Sequence, residues 1–162
     1  MVRTTIAVAV LVLAAALAPA PARAGDCKPV HGSYTSQAFF PPECPTSFCT
    51  AGEVIGGLQG AYTFTQTQVL PAAVLAPGDG ALENALFYVG ASDVTLRSGD
   101  HVYASDSGVI DVPPGTGKQA ALLVISGGTG GHAGATGFLQ LRGTLGPGGR
   151  VTGDFTGQIC TP

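Results

Sequence analysis

Charged residues are scarce in this sequence, and its basic residues do not cluster. Asp, Glu, Lys and Arg make up 10% of the 162 residues, and the formal net charge is −3. A protein that binds nucleic acid needs a patch of Lys and Arg to neutralise phosphates, and no stretch of the sequence has one. The composition therefore argues against a nucleic-acid partner.

Motifs for metal binding and for nucleophilic catalysis are missing as well. Four residues separate Cys44 from Cys49, whereas cysteine ligands of a zinc site are typically two residues apart. Asp106 and Asp111 are spaced like turn acceptors, and they supply too few oxygens for a calcium loop. The three histidines are scattered, and no serine lies in a Gly-x-Ser-x-Gly context. We therefore expect no metal, and the sequence identifies no catalytic set.

Two short stretches superficially match nucleotide-binding loops. In Val112–Lys118, a valine occupies the place of the first glycine of a phosphate-binding loop, and Gln119 occupies the place of the Ser or Thr that holds magnesium. Gly128–Ala133 matches a loose dinucleotide pattern, but further glycines follow where a helix should begin. We interpret both stretches as turns and expect no cofactor.

The first 24 residues have the three parts of a secretory signal. Arg3 supplies positive charge, Ile6–Leu17 is apolar, and Ala22–Ala24 is a small-x-small cleavage site. The apolar run is shorter than the ~20 residues of a membrane span. We therefore predict a signal peptide at 1–24, a secreted or periplasmic domain at 25–162, and no membrane span in the mature chain. Without the signal peptide, five basic residues oppose ten acidic ones, a net charge of −5.

Hydrophobic alternation with a period of two residues dominates the rest of the sequence. Val151–Ile159 and Phe138–Leu145 both alternate, and Gly146–Gly149 joins them as a hairpin turn. Six further segments are typical of strands: Val30–Phe39, Thr50–Ile55, Leu58–Leu70, Ala85–Leu96, Val102–Val112 and Ala120–Ile125. At most one helical turn is expected, at Asp79–Asn84. The pattern predicts an all-β protein.

Seven or eight antiparallel strands with short connections form either a sandwich or a closed barrel. Closure removes the unpaired strand edges that otherwise promote aggregation. We therefore predict a single closed antiparallel β-barrel of about eight strands, with a β-sandwich as the alternative.

All four cysteines follow the predicted cleavage site, and an even number of cysteines in an exported chain indicates two disulfides. Three pairings are possible. In an up-and-down barrel the start of the first strand and the end of the last lie at the same rim, which favours Cys27 with Cys160. Cys44 with Cys49 would then close the bend that contains two consecutive prolines.

Glycine is dense in Ser126–Gly137, and the surrounding segment Ile125–Thr144 resembles the signature of allene oxide cyclase barrel-like and dirigent-like proteins. The sequence is most similar to the small secreted bacterial members, which share the stretches found here at Cys49–Gly52 and Gly56–Gly60 and a terminal cysteine such as Cys160. The resemblance implies a barrel. It also implies a family of cyclases and stereochemical guides that hold an apolar, flexible substrate in a shaped lumen. It carries over no catalytic residue.

One carboxylate and several aromatic residues are candidates for the lumen. Glu53, near small residues in an apolar strand, is a weak candidate for a catalytic carboxylate, because desolvation would raise its pKa and suit it to proton transfer. Aromatic residues are spread over most strands, and they either fill the barrel or line a slot for one small ligand. The predicted ligand-binding residues are Tyr62, Phe64 and Tyr88.

Three functions follow from these patterns. The first is a module that binds or orients an apolar small molecule in its lumen without a catalytic set. The second is an isomerase or cyclase in which Glu53 or an interior tyrosine moves a proton. The third is a structural or assembly protein of the cell envelope that forms oligomers. An ionisable group sealed inside the lumen would favour the second, and an entirely apolar interior would not.

Overall fold

The computed structural model describes residues 25–75 and 83–162. The predicted signal peptide and most of the helical turn expected at Asp79–Asn84 lie outside this part of the chain. The described residues form eight strands: β1 (Asp26–Phe39), β2 (Cys49–Gly56), β3 (Gly60–Pro71), β4 (Ala85–Leu96), β5 (His101–Asp111), β6 (Lys118–Gly128), β7 (Thr136–Leu145) and β8 (Arg150–Thr161). A short helix, α1 (Ala72–Leu75), follows β3. Each predicted strand is confirmed, with ends that differ by a few residues.

The eight strands form a closed barrel in which each strand pairs with its neighbour in the sequence and β8 pairs with β1. All pairs are antiparallel, and the β1–β8 register runs from Asp26 opposite Thr161 to Gln37 opposite Arg150. The barrel predicted from the sequence is therefore confirmed, and the sandwich alternative is wrong.

Both expected disulfides are present. Cys27 and Cys160 are direct partners in the β1–β8 register and form one bond, and Cys44 and Cys49 form the other, across the bend between β1 and β2. Disulfides persist in oxidising compartments, so the two bonds are typical of extracellular or periplasmic proteins. Among the described residues, no helix is long and apolar enough to cross a membrane.

The two-residue period sets which side chains face the barrel interior. In β8, Val151, Phe155 and Ile159 are buried. The side chains of Thr152, Asp154, Thr156 and Gln158, which alternate with the inward positions, are exposed to solvent. Because the strands alternate in the same way, the buried apolar side chains form one continuous core. Many of these core residues, among them Val54, Leu58 and Phe155, also line a cavity in the interior of the barrel.

Inward-facing glycines leave room for aromatic rings in this interior. A Cβ atom on Gly90 of β4 would lie 2.5 Å from the ring of Phe64, and one on Gly108 of β5 would lie 2.5 Å from the hydroxyl of Tyr88. Both distances are shorter than those between packed non-bonded atoms, so a larger residue in place of either glycine would displace the ring beside it. The glycines therefore fix the positions of two side chains that the sequence assigned to ligand binding.

Candidate functional site

A cavity of about 300 Å³ occupies the interior of the barrel. All eight strands contribute to its wall, and most of the lining side chains are apolar or aromatic. Its volume is at the lower end of the range found for small-molecule sites. The barrel is therefore not filled solid by its own side chains.

The predicted ligand-binding residues Tyr62, Phe64 and Tyr88 all line this cavity. The ring of Phe64 lies 5.5 Å from that of Tyr88, and Phe48, from the segment before β2, lies 5.7 Å from Phe64 and 6.5 Å from Tyr88. These centroid distances are typical of favourable aromatic pairs. The structure thus brings the three residues together at one site, where ligand binding stays a prediction. Aromatic residues of other strands are divided between the two faces of the barrel: Phe155 is buried, whereas Tyr103 and Phe138 are exposed.

Glu53 does not lie in the lumen. Its side chain is exposed on the outer face of β2, and the next residue, Val54, is buried and lines the cavity. Successive residues of a strand point to opposite faces, so only one of these two can face inward. The expectation that Glu53 supplies the carboxylate of the lumen is therefore corrected.

Asp106 of β5 supplies that carboxylate instead. Its residue surface is 8% exposed, and its Oδ2 accepts a hydrogen bond of 3.0 Å from the hydroxyl of Ser92 on β4. Its Oδ1 is buried and has no hydrogen-bond partner among the described residues. Burial raises the pKa of Asp106 from 3.8 to about 6, although the Ser92 hydrogen bond opposes that rise. The carboxyl group therefore changes its charge close to neutral pH.

Sequence reasoning interpreted Asp106 as a turn residue and missed this role. The signal that could have found it is the inward period of β5, in which Val102 and Ala104 are buried four and two residues before Asp106. The same two-residue period continues through Asp106 to Ile110, which also lines the cavity. It therefore places the carboxylate of Asp106 in the lumen.

A hydrogen-bonded chain joins two tyrosines across the cavity. The hydroxyl of Tyr34 donates to Oε1 of Gln119 over 2.9 Å, and Nε2 of Gln119 donates to the hydroxyl of Tyr88 over 2.7 Å. Desolvation by burial raises the pKa of Tyr34, Tyr62 and Tyr88, so all three phenols are neutral at physiological pH. Because the Tyr88 hydroxyl accepts from Gln119, its own proton can be donated elsewhere.

The lumen has no basic side chain among the described residues that line it. Asp106 is consequently the one group in the described wall that carries charge at neutral pH. A shallower apolar groove lies on the outside of the barrel, where Leu70, Phe87, Val89 and Leu122 are among its lining residues. These side chains are partly exposed, so this outer groove is a second place where an apolar probe could adsorb.

Comparison with known proteins adds no relative, because no family model, no curated protein and no solved structure matches this chain. The resemblance to allene oxide cyclase-like and dirigent-like barrels is thus carried by the sequence motifs alone.

Proposed function

We propose that this protein acts outside the cytoplasm as a barrel that binds an apolar small molecule in its lumen. The observation that carries the proposal is the cavity of about 300 Å³, whose wall is largely apolar. An apolar cavity offers water few hydrogen bonds, whereas an apolar ligand gains roughly 25 cal/mol for each Å² removed from water. The resemblance to proteins that hold a flexible substrate in a lumen supports the same function.

A larger side chain in the cavity wall should weaken ligand binding. Ser36 of β1 is buried in the cavity wall, so Ser36→Leu is expected to occupy part of the cavity and to weaken binding of phenethyl alcohol about tenfold or more, equivalent to ~1.4 kcal/mol. The measurement is a calorimetric titration of the purified protein with both disulfides formed.

The matched control is Ser33→Leu, because Ser33 lies on the same strand with its side chain exposed. This variant should bind the alcohol as the wild type does. If the wild type shows no saturable binding, or if Ser36→Leu binds as tightly as Ser33→Leu, the lumen is not the binding site and the proposal fails.

A proton-transferring isomerase is the second candidate, and the buried carboxyl group of Asp106 favours it. A base with a pKa near 6 is suited to proton transfer near neutral pH. In such a reaction the carboxylate would take a proton from the carbon beside a carbonyl group, and a tyrosine hydroxyl would donate a hydrogen bond to the resulting enolate oxygen. In a substrate with a carbon–carbon double bond next to the deprotonated carbon, the enolate is a dienolate, and return of the proton to its far carbon would move the double bond into conjugation with the carbonyl group and complete an isomerisation.

Benzylacetone tests this candidate in heavy water, because the carboxyl group would return deuterium to the same carbon. NMR should show exchange of the hydrogens beside the carbonyl group, and Asp106→Asn should slow the protein-dependent exchange about a hundredfold or more. Asp154→Asn, which removes an exposed carboxylate of β8, is the control. Exchange at the same rate with and without the wild-type protein would exclude this reaction.

A further inference from the structure

One polar atom of the cavity wall is without a partner. Among the described cavity-lining side chains, Oδ1 of Asp106 is the only buried side-chain oxygen or nitrogen that makes no hydrogen bond. Buried polar atoms in folded proteins are nearly always satisfied, so an exception in a cavity wall marks an atom to which a bound ligand can supply the hydrogen bond. An ionised carboxylate accepts hydrogen bonds and donates none. The ligand group that meets Oδ1 should therefore be a hydrogen-bond donor.

A cationic donor gains more at this position than a neutral one. A hydroxyl and an ammonium group can both donate a hydrogen bond to the carboxylate, but only the ammonium adds a direct attraction between opposite charges, and that attraction is stronger away from water. The usual cost of burying an ion pair comes from desolvating both ions, but folding has already desolvated Asp106, whose residue surface is 8% exposed. An entering ammonium group therefore loses only its own hydration.

Aromatic rings lie beside the carboxylate. Tyr88 pairs with Gly108, two residues from Asp106 on β5, and the charge of Asp106 contributes to the raised pKa of Tyr88. Phe64 and Phe48 pack against Tyr88. The face of an aromatic ring attracts a cation within about 6 Å of its centre. This part of the lumen thus combines a negative charge with several rings that favour a positive one.

The same wall disfavours an anionic ligand. No Lys, Arg or His is among the described residues around the cavity, so a buried ligand carboxylate would have no cation to pair with. It would also be repelled by the ionised carboxylate of Asp106. Ligand charge should consequently decide which apolar molecules enter.

We propose that the lumen is specific for an apolar amine, whose ammonium group donates a hydrogen bond to Oδ1 of Asp106 while its apolar body lies among the aromatic and aliphatic side chains of the cavity. This specificity rests on the proposed ligand-binding function, since it concerns which molecule the lumen holds.

Three probes with the same phenethyl body test the proposal: phenethylamine, phenethyl alcohol and hydrocinnamate, which carry an ammonium, a hydroxyl and a carboxylate group. Calorimetry at about pH 7.5, where the amine is protonated, should show the amine binding about tenfold more tightly than the alcohol. Hydrocinnamate should bind most weakly of the three. An amine that binds no more tightly than the alcohol, or a carboxylate that matches the amine, overturns the proposal.

Asp106→Asn keeps the shape of the side chain and removes its charge, so the ratio of amine to alcohol affinity should fall to about one. Asp154→Asn, which removes an exposed carboxylate on the outside of β8, should leave that ratio unchanged. An unchanged ratio in Asp106→Asn would contradict the proposal.

The wild type provides a test that needs no variant. Lowering the pH to about 4.5 protonates Asp106 and should reduce the amine preference several-fold. The titratable side chains that surround Asp106 in the lumen are Tyr34, Tyr62 and Tyr88, which stay neutral over this range because burial raises the pKa of each. A preference that does not change with pH would contradict the proposal.

The outcomes separate the two proposals. If none of the three probes binds the wild type, the proposed lumen-binding function fails. If the alcohol binds and Ser36→Leu weakens it, but the amine has no advantage, only the amine specificity fails.

Discussion

Replacing both Cys27 and Cys160 with serine is expected to lower the free energy of unfolding by about 5 kcal/mol. The bond joins residues 133 positions apart, and a crosslink that closes so long a loop strongly restricts the unfolded chain. It also lies at the seam where β1 meets β8, so its loss removes a covalent restraint from the last pairing that closes the barrel. Urea unfolding of the wild type and the double variant measures the difference.

The second disulfide provides the matched comparison. Cys44 and Cys49 are five positions apart, so the same chain-entropy argument gives a loss of only about 2 kcal/mol when both become serine. Equal losses in the two double variants, or a larger loss at the short loop, would contradict the idea that the bond across the seam contributes most to stability.

Stability should fall by about 3 kcal/mol as Asp106 ionises. Its pKa is about 6 in the folded protein against 3.8 ordinarily, so the fold favours the protonated carboxyl group. The stabilisation is therefore complete below about pH 3.8 and is lost as the pH rises through about 6. The substitution Asp106→Asn replaces the carboxyl group with an amide, which does not titrate. Relative to this variant, the wild type should become less stable by about that amount between about pH 3 and about pH 8.

The comparison between variants isolates Asp106 from other groups. Asp111, for example, has a lowered pKa because Thr116 donates hydrogen bonds to its carboxylate, and it contributes a trend of opposite sign. That trend is common to the wild type and Asp106→Asn and cancels in their difference. Asp154→Asn should keep the wild-type dependence on pH. Parallel stability curves for the wild type and Asp106→Asn would show that Asp106 is not buried in a poorly solvated site.

The sequence predicts the barrel well because its evidence is periodic and redundant. Each strand contains its own two-residue alternation, as Val151, Phe155 and Ile159 illustrate in β8, and an error in one strand would leave the others intact. The closure of the barrel was predicted from a separate argument, because a closed sheet has no unpaired strand edges. Closure in turn favoured the pairing of Cys27 with Cys160, and that disulfide is present.

The carboxylate of the lumen was harder to identify, because its position depends on the phase of a single strand. Around Glu53, the inward positions are Thr50, Gly52 and Val54, a mixture that does not distinguish one face from the other. Asp106 stands between two serines, so its surroundings look like a turn. A shift of one residue in phase exchanges the inside and the outside of a strand, which is the error made at Glu53.

The cavity itself could not be derived from sequence patterns. Alternation shows that Tyr62, Phe64 and Tyr88 face inward, but it does not show whether their rings meet at the centre. The positions of the rings are set by contacts between residues far apart in the sequence, such as Tyr88 with Gly108 and Phe48 with Phe64. Whether space remains in a barrel depends on such packing, which no local pattern encodes.

The most direct test of a ligand-binding lumen is a crystal structure of the protein grown with para-bromophenethyl alcohol, in which anomalous scattering locates the bromine atom. The account predicts a bromine peak inside the barrel, within contact distance of the cavity wall formed by residues such as Phe64 and Leu123. A lumen without bromine at saturating probe, or bromine found only in the outer groove beside Phe87 and Leu122, would contradict it.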